Sequence, residues 1–221
     1  MKKINIAIDG PSAAGKGTIA DNISARLGYI HLDTGAMYRC VALKCKNLGI
    51  DVRDQESVME MLKDTKITQD AKGNSYLDDV DVSGLIRTDE ISMMASDVST
   101  HPLVRENLVE RQQKLAEDKG YVLEGRDIGS VVLPNAELKI FLTASVEARV
   151  MRTYLQNKEK GLECDYDQLY KEIEERDYQD THRAASPLVQ AEDAILLDTS
   201  DLSIDEVTEK VLSLVRERGC E

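Results

Sequence analysis

A glycine-rich run near the start of the chain constrains the fold more than any other feature. Residues 8–18 read IDGPSAAGKGT, and they follow an apolar stretch of strand length and open a stretch with a helical pattern. Glycines let the backbone bend so that several N–H groups converge on one anion, and the N-terminus of the next helix adds its positive end. A purely structural glycine turn is the alternative. The strand, loop and helix context favours a phosphate-binding loop in which Lys16 reaches the β- and γ-phosphates of a nucleotide.

This loop departs from the most common phosphate-loop pattern. Gly17 stands where a hydroxyl residue usually follows the lysine, and Thr18 comes one place later. The shift argues against direct ligation of Mg²⁺ by Thr18 and leaves a contact through water open. The ending GKGT resembles nucleoside monophosphate kinases of the adenylate kinase type. A signalling GTPase is disfavoured, because NKEK from Asn157 lacks the acid of a guanine-recognition motif.

Short apolar runs alternate with helical patterns along most of the chain. Near-continuous apolarity is what a parallel strand covered on both faces needs, so we predict an α/β fold with a five-stranded parallel sheet flanked by helices. A final helix is predicted between a Ser203 cap and a Gly219 stop. The predicted strands are residues 4–8, 29–32, 121–123, 138–142 and 195–197.

The composition narrows the class of protein. With 221 residues and 42% hydrophobic content, the chain is expected to fold as one unit, residues 1–221. The net charge of −13 and the 4% aromatic content disfavour a protein that coats nucleic acid. No run approaches the roughly 18 apolar residues of a membrane span, and the apolar start is interrupted too early for an export signal, so we expect a cytoplasmic protein. The four cysteines form no CxxC pair and are interpreted as reduced.

Two segments interrupt the alternation of strand and helix. Residues 63–90 are predicted as a small antiparallel insertion. It falls within residues 35–118, the region that the resemblance to nucleoside monophosphate kinases implies for binding the acceptor. Residues 153–166 are predicted as a short lid, because NKEKGLE is loop-like and the stretch after it is helical. The strand candidates of the insertion are residues 66–69, 74–77 and 80–82.

A second motif, LDTGAMYR at residues 32–39, follows the second predicted strand. It is either a helix start that Asp33 or Thr34 caps, with Arg39 facing water, or a clamp for an acceptor phosphate. Because α/β sheets bind ligands at the carboxyl edge of their strands, we favour the clamp.

A third motif, LEGRDIG at residues 123–129, follows another predicted strand. Arg126 beside Asp127 could be an exposed ion pair of little energetic value. Arg39 and Arg126 would, however, both stand at strand ends, and forked guanidinium groups match a phosphate through two parallel hydrogen bonds. We therefore favour phosphate binding for both arginines.

Charged residues on predicted helices have two interpretations each. In ERDYQDTHR, a continuous helix places Arg176, Asp180 and Arg183 on one face, as a solvated ladder of ion pairs or as contacts to a nucleotide. Arg149 and Arg152 precede the lid and are either surface charge or arginines that close on a transferring phosphoryl group.

Six stretches together resemble the bacterial cytidylate kinase family, from the first strand to the final helix. They are GPSAAGKGT, DTGAMYR, SDVSTHPLVR, LEGRDIGSVVLP, KIFLTAS and RDYQDTHRAASPL. The resemblance implies an adenylate-kinase-like P-loop core, a lid and an enlarged region for binding the nucleoside monophosphate. It implies phosphorylation of CMP and dCMP by ATP with Mg²⁺, in a monomer.

The resemblance also assigns residues. Arg39 and Arg126 would hold the CMP phosphate, Ser96 and Arg105 would recognise cytosine, and Arg176 and Asp180 would contact the sugar. The full set for CMP is Thr34, Arg39, Ser96, Arg105, Arg126, Asp127, Arg176, Asp180 and Arg183. The set for ATP is Gly10, Pro11, Ser12, Ala13, Ala14, Gly15, Lys16, Gly17 and Thr18. Catalysis would fall to Lys16, Arg126, Arg149 and Arg152.

Other functions remain compatible with a phosphate loop. A kinase for adenylate, uridylate or shikimate would use the same core, and a nucleotide-binding regulator would bind ATP without transferring a phosphoryl group. A panel of acceptors separates these alternatives.

Overall fold

The computed structural model describes residues 3–70 and 72–218. The strands in this part of the chain are β1 (Ile6–Asp9), β2 (Ile30–Asp33), β3 (Ile67–Gln69), β4 (Ser75–Leu77), β5 (Val80–Asp81), β6 (Tyr121–Gly125), β7 (Leu138–Thr143) and β8 (Ile195–Asp198). The α-helices are α1 (Lys16–Leu27), α2 (Thr34–Leu48), α3 (Gln55–Lys63), α4 (Asp89–Val98), α5 (Pro102–Leu115), α6 (Val146–Glu159), α7 (Tyr166–His182) and α8 (Ile204–Glu217). A 3₁₀ turn lies at Leu85–Arg87 and a π-helical turn at Ile128–Val132.

Five strands form a parallel sheet, as predicted. Their order across the sheet is β2-β6-β1-β7-β8. Strand β1 is central, with Ile6 opposite Val122 on one side and Leu138 on the other. All four residues of β1 are buried, which accounts for its nearly uninterrupted apolar sequence. The phosphate loop therefore follows the best-covered strand of the sheet.

The observed strands end later than the apolar runs predict. Four of them continue for one residue, to Asp9, Asp33, Thr143 and Asp198, and β6 continues for two, to Gly125. The first strand also starts at Ile6 rather than at residue 4. At residues 4 and 5 the pairing is mixed: the Gly120 amide donates to the Ile4 carbonyl at 2.9 Å, while the Tyr121 amide donates to the Asn5 side chain at 3.3 Å.

The chain divides into two compact units, Met1–Tyr29 with Lys119–Glu221 and Ile30–Asp118. In the first unit, α1 and α8 pack on the sheet through apolar side chains such as Ile19, Ile23, Val211 and Val215. Helix α8 begins with a capping box between Ser203 and Glu206, which confirms the predicted cap. The predicted stop, Gly219, lies outside the described residues, as does Cys220.

The second unit is built around α2, which packs against α3, α4 and the 3₁₀ turn. Strands β3, β4 and β5 form a separate antiparallel sheet, and this confirms the predicted insertion. The hairpin between β4 and β5 turns through Asp78 and Asp79, both with positive φ. Acids suit this position because Asp tolerates the left-handed region better than bulky residues do.

Two predictions about the segment after β7 were wrong in detail. Asn157 to Glu159 form the last residues of α6 instead of a loop, and α7 ends at His182, so Arg183 is not on the helix. Polar residues with good helix propensity extend α6 until Gly161, whose φ of 70° ends it. Within the described residues, no helix is long and apolar enough to cross a membrane.

Candidate active site

The phosphate loop runs from the end of β1 to the first residue of α1. Gly10 has a φ of 151°, and a Cβ at this position would overlap the backbone carbonyl of Leu142 in β7. Gly15 takes the left-handed conformation at the N-cap of α1. The loop therefore depends on Gly10 for its close approach to β7, and α1 directs its N-terminal amides into the loop.

Lys16 is the first residue of α1, and its side chain folds across the loop. Its Nζ donates a hydrogen bond to the Pro11 carbonyl at 2.7 Å, and the residue is buried. Burial, followed by the neighbouring charge of Arg126, lowers the pKa of Lys16 to about 7. A phosphate placed beside this ammonium would restore its charge and gain a strong charge-assisted bond.

A cavity of about 380 Å³ opens beside the loop. The phosphate loop, Glu124 and Arg152 contribute polar groups to its lining. Leu202, before α8, and Ile204 and Val207 on α8 contribute apolar side chains. A cavity lined by a phosphate loop and by apolar side chains suits a nucleotide.

Glu124 is a residue of this site that the sequence did not assign. It lies in β6 and lines the cavity, and a Cβ on Gly17 would come within 2.8 Å of its Oε1. Its charge raises the pKa of Lys16 against the effect of burial. The signal was present, because Glu124 belongs to the LEGRDIG motif at a strand end.

Asp9 ties the phosphate loop strand to the π-helical turn. Its two carboxylate oxygens accept hydrogen bonds from the Ile128 and Gly129 amides, each at 2.7 Å. Burial raises the pKa of Asp9 to about 6, although both amides and Lys16 act in the opposite direction. The clamp fixes the start of the turn that follows Arg126 and Asp127.

The structure separates the adjacent charges of LEGRDIG. Arg126 Nε donates to Asp180 on α7 at 2.5 Å, and Asp127 faces Arg183 at 4.0 Å. The interpretation as an exposed Arg126–Asp127 pair was therefore wrong, because consecutive side chains here point toward different partners. Arg183 is the C-cap of α7, and its Nε donates to the Ser186 carbonyl at 2.7 Å. Of the three residues predicted to share one face of this helix, Arg176 and Asp180 lie on α7 and Arg183 does not. Arg176 is exposed.

Arg149 and Arg152 occupy different environments on α6. Arg149 is buried and binds both carboxylate oxygens of Asp177 on α7, at 2.9 and 2.5 Å, and donates to the loop carbonyl of Ser12 at 3.1 Å. The interpretation as surface charge was therefore wrong for Arg149. Arg152 lines the cavity and donates to the hydroxyl and carbonyl of Thr199.

In the second unit, Asp33 caps α2 and holds Arg39. Asp33 Oδ1 accepts from the Ala36 amide at 2.8 Å, and Oδ2 accepts from Arg39 Nη2 at 2.6 Å. Burial acts to raise the pKa of Asp33. The charge of Arg39 and the hydrogen bond from the Ala36 amide act in the opposite direction, and the pKa of Asp33 is lowered. Arg39 is partly buried in this ion pair instead of extending into water, and Thr34 is buried at the first position of α2.

The two residues expected to recognise cytosine differ in exposure. Arg105 on α5 is buried, donates to the Ser99 carbonyl at 3.3 Å and lies over the ring of Tyr38 at 5.7 Å. Ser96 on α4 is exposed. In residues 3–70 and 72–218, no group of three His, Cys, Asp or Glu side chains is placed to hold a metal ion.

A phosphate loop that leads from a central parallel strand into a helix beginning with lysine defines a P-loop kinase fold. The gluconokinase from Sinorhizobium meliloti shares the fold, with a TM-score of 0.50 and 13% identity over 98% of this chain and 94% of that chain. The model of the family described as cytidylate kinase matches residues 6–217. Cytidylate kinase of Caldicellulosiruptor bescii is 53% identical over 97% of this chain and 96% of its own. Cytidylate kinase of Bacillus cereus is 48% identical over 97% and 96%. The chain belongs to the cytidylate kinase family.

Proposed function

We propose that the protein transfers the γ-phosphoryl group of ATP to CMP or dCMP and forms ADP and CDP or dCDP. The observation that carries the proposal is the buried Lys16 in a phosphate loop beside a nucleotide-sized cavity, in a chain whose relatives are named cytidylate kinases. The apolar side chains that line the cavity would contact the base of ATP, and the loop from Gly10 to Thr18 would bind its phosphates.

CMP would be held by arginine, acidic and hydroxyl side chains. Arg39 and Arg126 would bind its phosphate, Ser96 and Arg105 its base, and Arg176 and Asp180 its sugar, as the family resemblance implies. Thr34, Asp127 and Arg183 complete the proposed set. The exposed Ser96 and the buried Arg105 both carry hydrogen-bonding groups suited to the polar edge of cytosine.

We propose that Mg²⁺ is held beside the phosphate loop by oxygen donors that line the cavity. Thr18 and Glu124 both line it, and hydroxyl and carboxylate oxygens suit a hydrated Mg²⁺ held through water. When bound there, Mg²⁺ supplies charge neutralisation of the phosphates. Because Gly17 carries no hydroxyl, Thr18 would act from one position later than in the common loop.

The chemistry requires alignment and charge stabilisation from the protein. The second pKa of a phosphate monoester is about 6, so the attacking oxygen of CMP is largely deprotonated at neutral pH and needs no general base. Lys16 and Arg152 at the cavity would stabilise charge on the transferring group, together with Arg126. Arg149 would support them by fixing the loop through the Ser12 carbonyl, which it contacts directly.

An acceptor panel tests the proposal. ADP release is measured with ATP and Mg²⁺ while CMP, dCMP, UMP and AMP are offered in turn. We expect rapid turnover with CMP and dCMP, slow turnover with UMP, and none with AMP, because a purine does not fit hydrogen bonds arranged for cytosine. Faster turnover with AMP or shikimate would assign another kinase activity, and ATP binding without acceptor-dependent turnover would indicate a regulator. We also propose that the protein is a monomer, which gel filtration would test, and that it is located in the cytoplasm, which cell fractionation would test.

A further inference from the structure

The side chain of Gln69 links the antiparallel sheet to the start of α2. Gln69 ends β3, and its Oε1 accepts from the Asp33 amide at 2.9 Å while its Nε2 donates to the Asp33 carbonyl at 2.7 Å. Both backbone groups of one residue are thus paired by one side-chain amide, as a neighbouring strand would pair them. The sheet and Asp33 belong to the same unit, Ile30–Asp118.

The carboxylate of Asp33 in turn contacts the guanidinium of Arg39. One carboxylate oxygen caps α2 at the Ala36 amide, so the orientation of the second oxygen is fixed. That second oxygen binds Arg39 Nη2 at 2.6 Å. Gly35 leaves room for the fold-back, because a Cβ there would lie 3.1 Å from Arg39 Nη1 and 3.2 Å from Asp33 Oδ1.

An arginine held in one conformation binds phosphate better than a free one. Ordering a long side chain costs about 1.5 to 2 kcal/mol, and a guanidinium that is already oriented avoids that cost on binding. The side chain of Arg39 retains an exposure of 22% in its ion pair, so part of it is accessible to a ligand, while its Nε is buried without a hydrogen-bond partner among the described residues. Its orientation depends on Asp33, whose backbone is held by Gln69.

We propose that Gln69 is a positioning residue for CMP: it fixes Asp33 through both backbone groups, and Asp33 orients the guanidinium of Arg39 toward the CMP phosphate. The inference rests on the proposed function, in which Arg39 binds that phosphate. It gives the antiparallel insertion a part in acceptor binding, although none of its own side chains has been assigned to CMP.

The test uses Gln69→Met, which keeps the length of the side chain and removes both hydrogen bonds. We expect KM for CMP to rise about 3- to 10-fold, which corresponds to the loss of one or two partly exposed hydrogen bonds. The kcat at saturating CMP and KM for ATP should change less than about twofold. The matched control is Tyr76→Phe in β4 of the same sheet, which removes the 3.0 Å hydrogen bond from the Tyr76 hydroxyl to Asp70. KM for CMP should be unchanged in this variant.

A double-mutant cycle with Arg39→Ala separates positioning from a general loss of structure. If Gln69 acts through Arg39, Gln69→Met has no further effect on KM for CMP in the Arg39→Ala background. An equal loss in both backgrounds would overturn the proposal. Faster hydrogen exchange of the Asp33 amide in Gln69→Met checks the contact without any substrate, and unchanged exchange would also count against it.

The same measurements separate this inference from the proposed function. If Arg39→Ala weakens CMP binding while Gln69→Met has no effect, only the positioning role fails. If Arg39→Ala leaves KM for CMP unchanged, the assignment of Arg39 to the CMP phosphate fails first, and the role of Gln69 is rejected with it.

Discussion

Lys16 illustrates how a single residue can be correctly placed by its sequence context. The spacing of the glycines and the position before a helix predicted a side chain directed at phosphate. The structure adds burial, contact with the Pro11 carbonyl and a pKa lowered to about 7. The pKa shift depends, beyond burial, on Arg126 and Glu124, which are more than a hundred residues away, so it could not be predicted from the sequence.

We expect Lys16→Met to lose most turnover while the protein remains folded. Removing one preorganised charge that stabilises the transferring group costs about 3 to 4 kcal/mol, or roughly a hundredfold to a thousandfold in kcat. A coupled ADP-release assay with CMP measures the loss, and circular dichroism checks the fold. A variant that kept more than a tenth of the wild-type rate would contradict the assigned role of Lys16.

Asp9 should give the stability of the protein a distinctive pH dependence. Its pKa is about 6 in the folded protein against a usual value of 3.8. Between these values the folded state holds a proton that the unfolded chain has lost, so the contribution of Asp9 to stability falls as the pH rises through this window. Asp9→Asn does not titrate. The free energy of unfolding of the variant minus that of the wild type should therefore rise by about 3 kcal/mol between a pH below 3 and a pH above 7.

Urea unfolding of both proteins at matched pH values measures this difference, and subtraction removes the titration of the other acids. Asp127 and Lys16, which also act on Asp9, are present in both proteins. A difference that stayed constant across the window would show that Asp9 is not held with a raised pKa.

At the scale of whole elements, the apolar runs predicted all five parallel strands, but not where those strands end. The extra residues are mostly polar, as at Asp9 and Asp33, and their strand geometry comes from pairing with neighbours and not from hydrophobicity. The end of α6 was missed for a related reason. Asn157 to Glu159 read as a loop by charge, yet nothing before Gly161 prevents a helix from continuing.

The ion pair that joins α6 to α7 could not be predicted from the sequence either. Arg149 was a candidate, but its partner Asp177 is 28 residues away and was not singled out. Removing one partner of a buried pair leaves an uncompensated charge, so Asp177→Ala should lower the free energy of unfolding by about 2 to 4 kcal/mol. Glu175→Ala, at an exposed position of the same helix, should change it by less than about 0.5 kcal/mol. Equal effects of the two substitutions in urea unfolding would contradict this account of Arg149.

The junction of β1 with its loop can be tested by comparing substitutions at two glycines. Gly10 lies at this junction, and Gly28 is the C-cap of α1. Both have positive φ, but a Cβ meets the Leu142 carbonyl at Gly10 and nothing within 4 Å at Gly28. Gly28→Ala should cost about 1 to 2 kcal/mol from backbone strain alone. Gly10→Ala adds displacement of a backbone carbonyl and should destabilise the protein by several kcal/mol more, as measured by thermal unfolding. Similar midpoints for both variants would contradict the close approach.

For the whole molecule, the sequence predicted the fold class and the parallel sheet without predicting the order of the strands. The order β2-β6-β1-β7-β8 joins segments that are distant in the chain, and no local pattern specifies such pairing. The net charge of −13 does not oppose an anion site at the phosphate loop. Screening over about 8 Å lets the local cations at the loop act independently of acids elsewhere on the surface.

The whole molecule should be stabilised by its nucleotides through mass action. A ligand at a hundred times its Kd adds about 2.7 kcal/mol, which raises the midpoint of thermal unfolding by about 5 to 10 °C for a chain of this size. We expect ATP with Mg²⁺ and CMP each to produce such a shift in the wild type. Lys16→Met should reduce the shift from ATP and keep the shift from CMP. Loss of both shifts would indicate that the substitution has damaged more than the phosphate loop.

The bare backbone at Gly17 makes two distant motifs interdependent. A side chain there would meet the Glu124 carboxylate at 2.8 Å, so a serine or threonine could follow Lys16 only if that acid moved aside. The carboxylate is the far end of a flexible side chain, so grafting the commoner loop ending onto this scaffold would displace it by rotation of Glu124. A substitution in the loop would therefore change the position of a side chain in the distant motif.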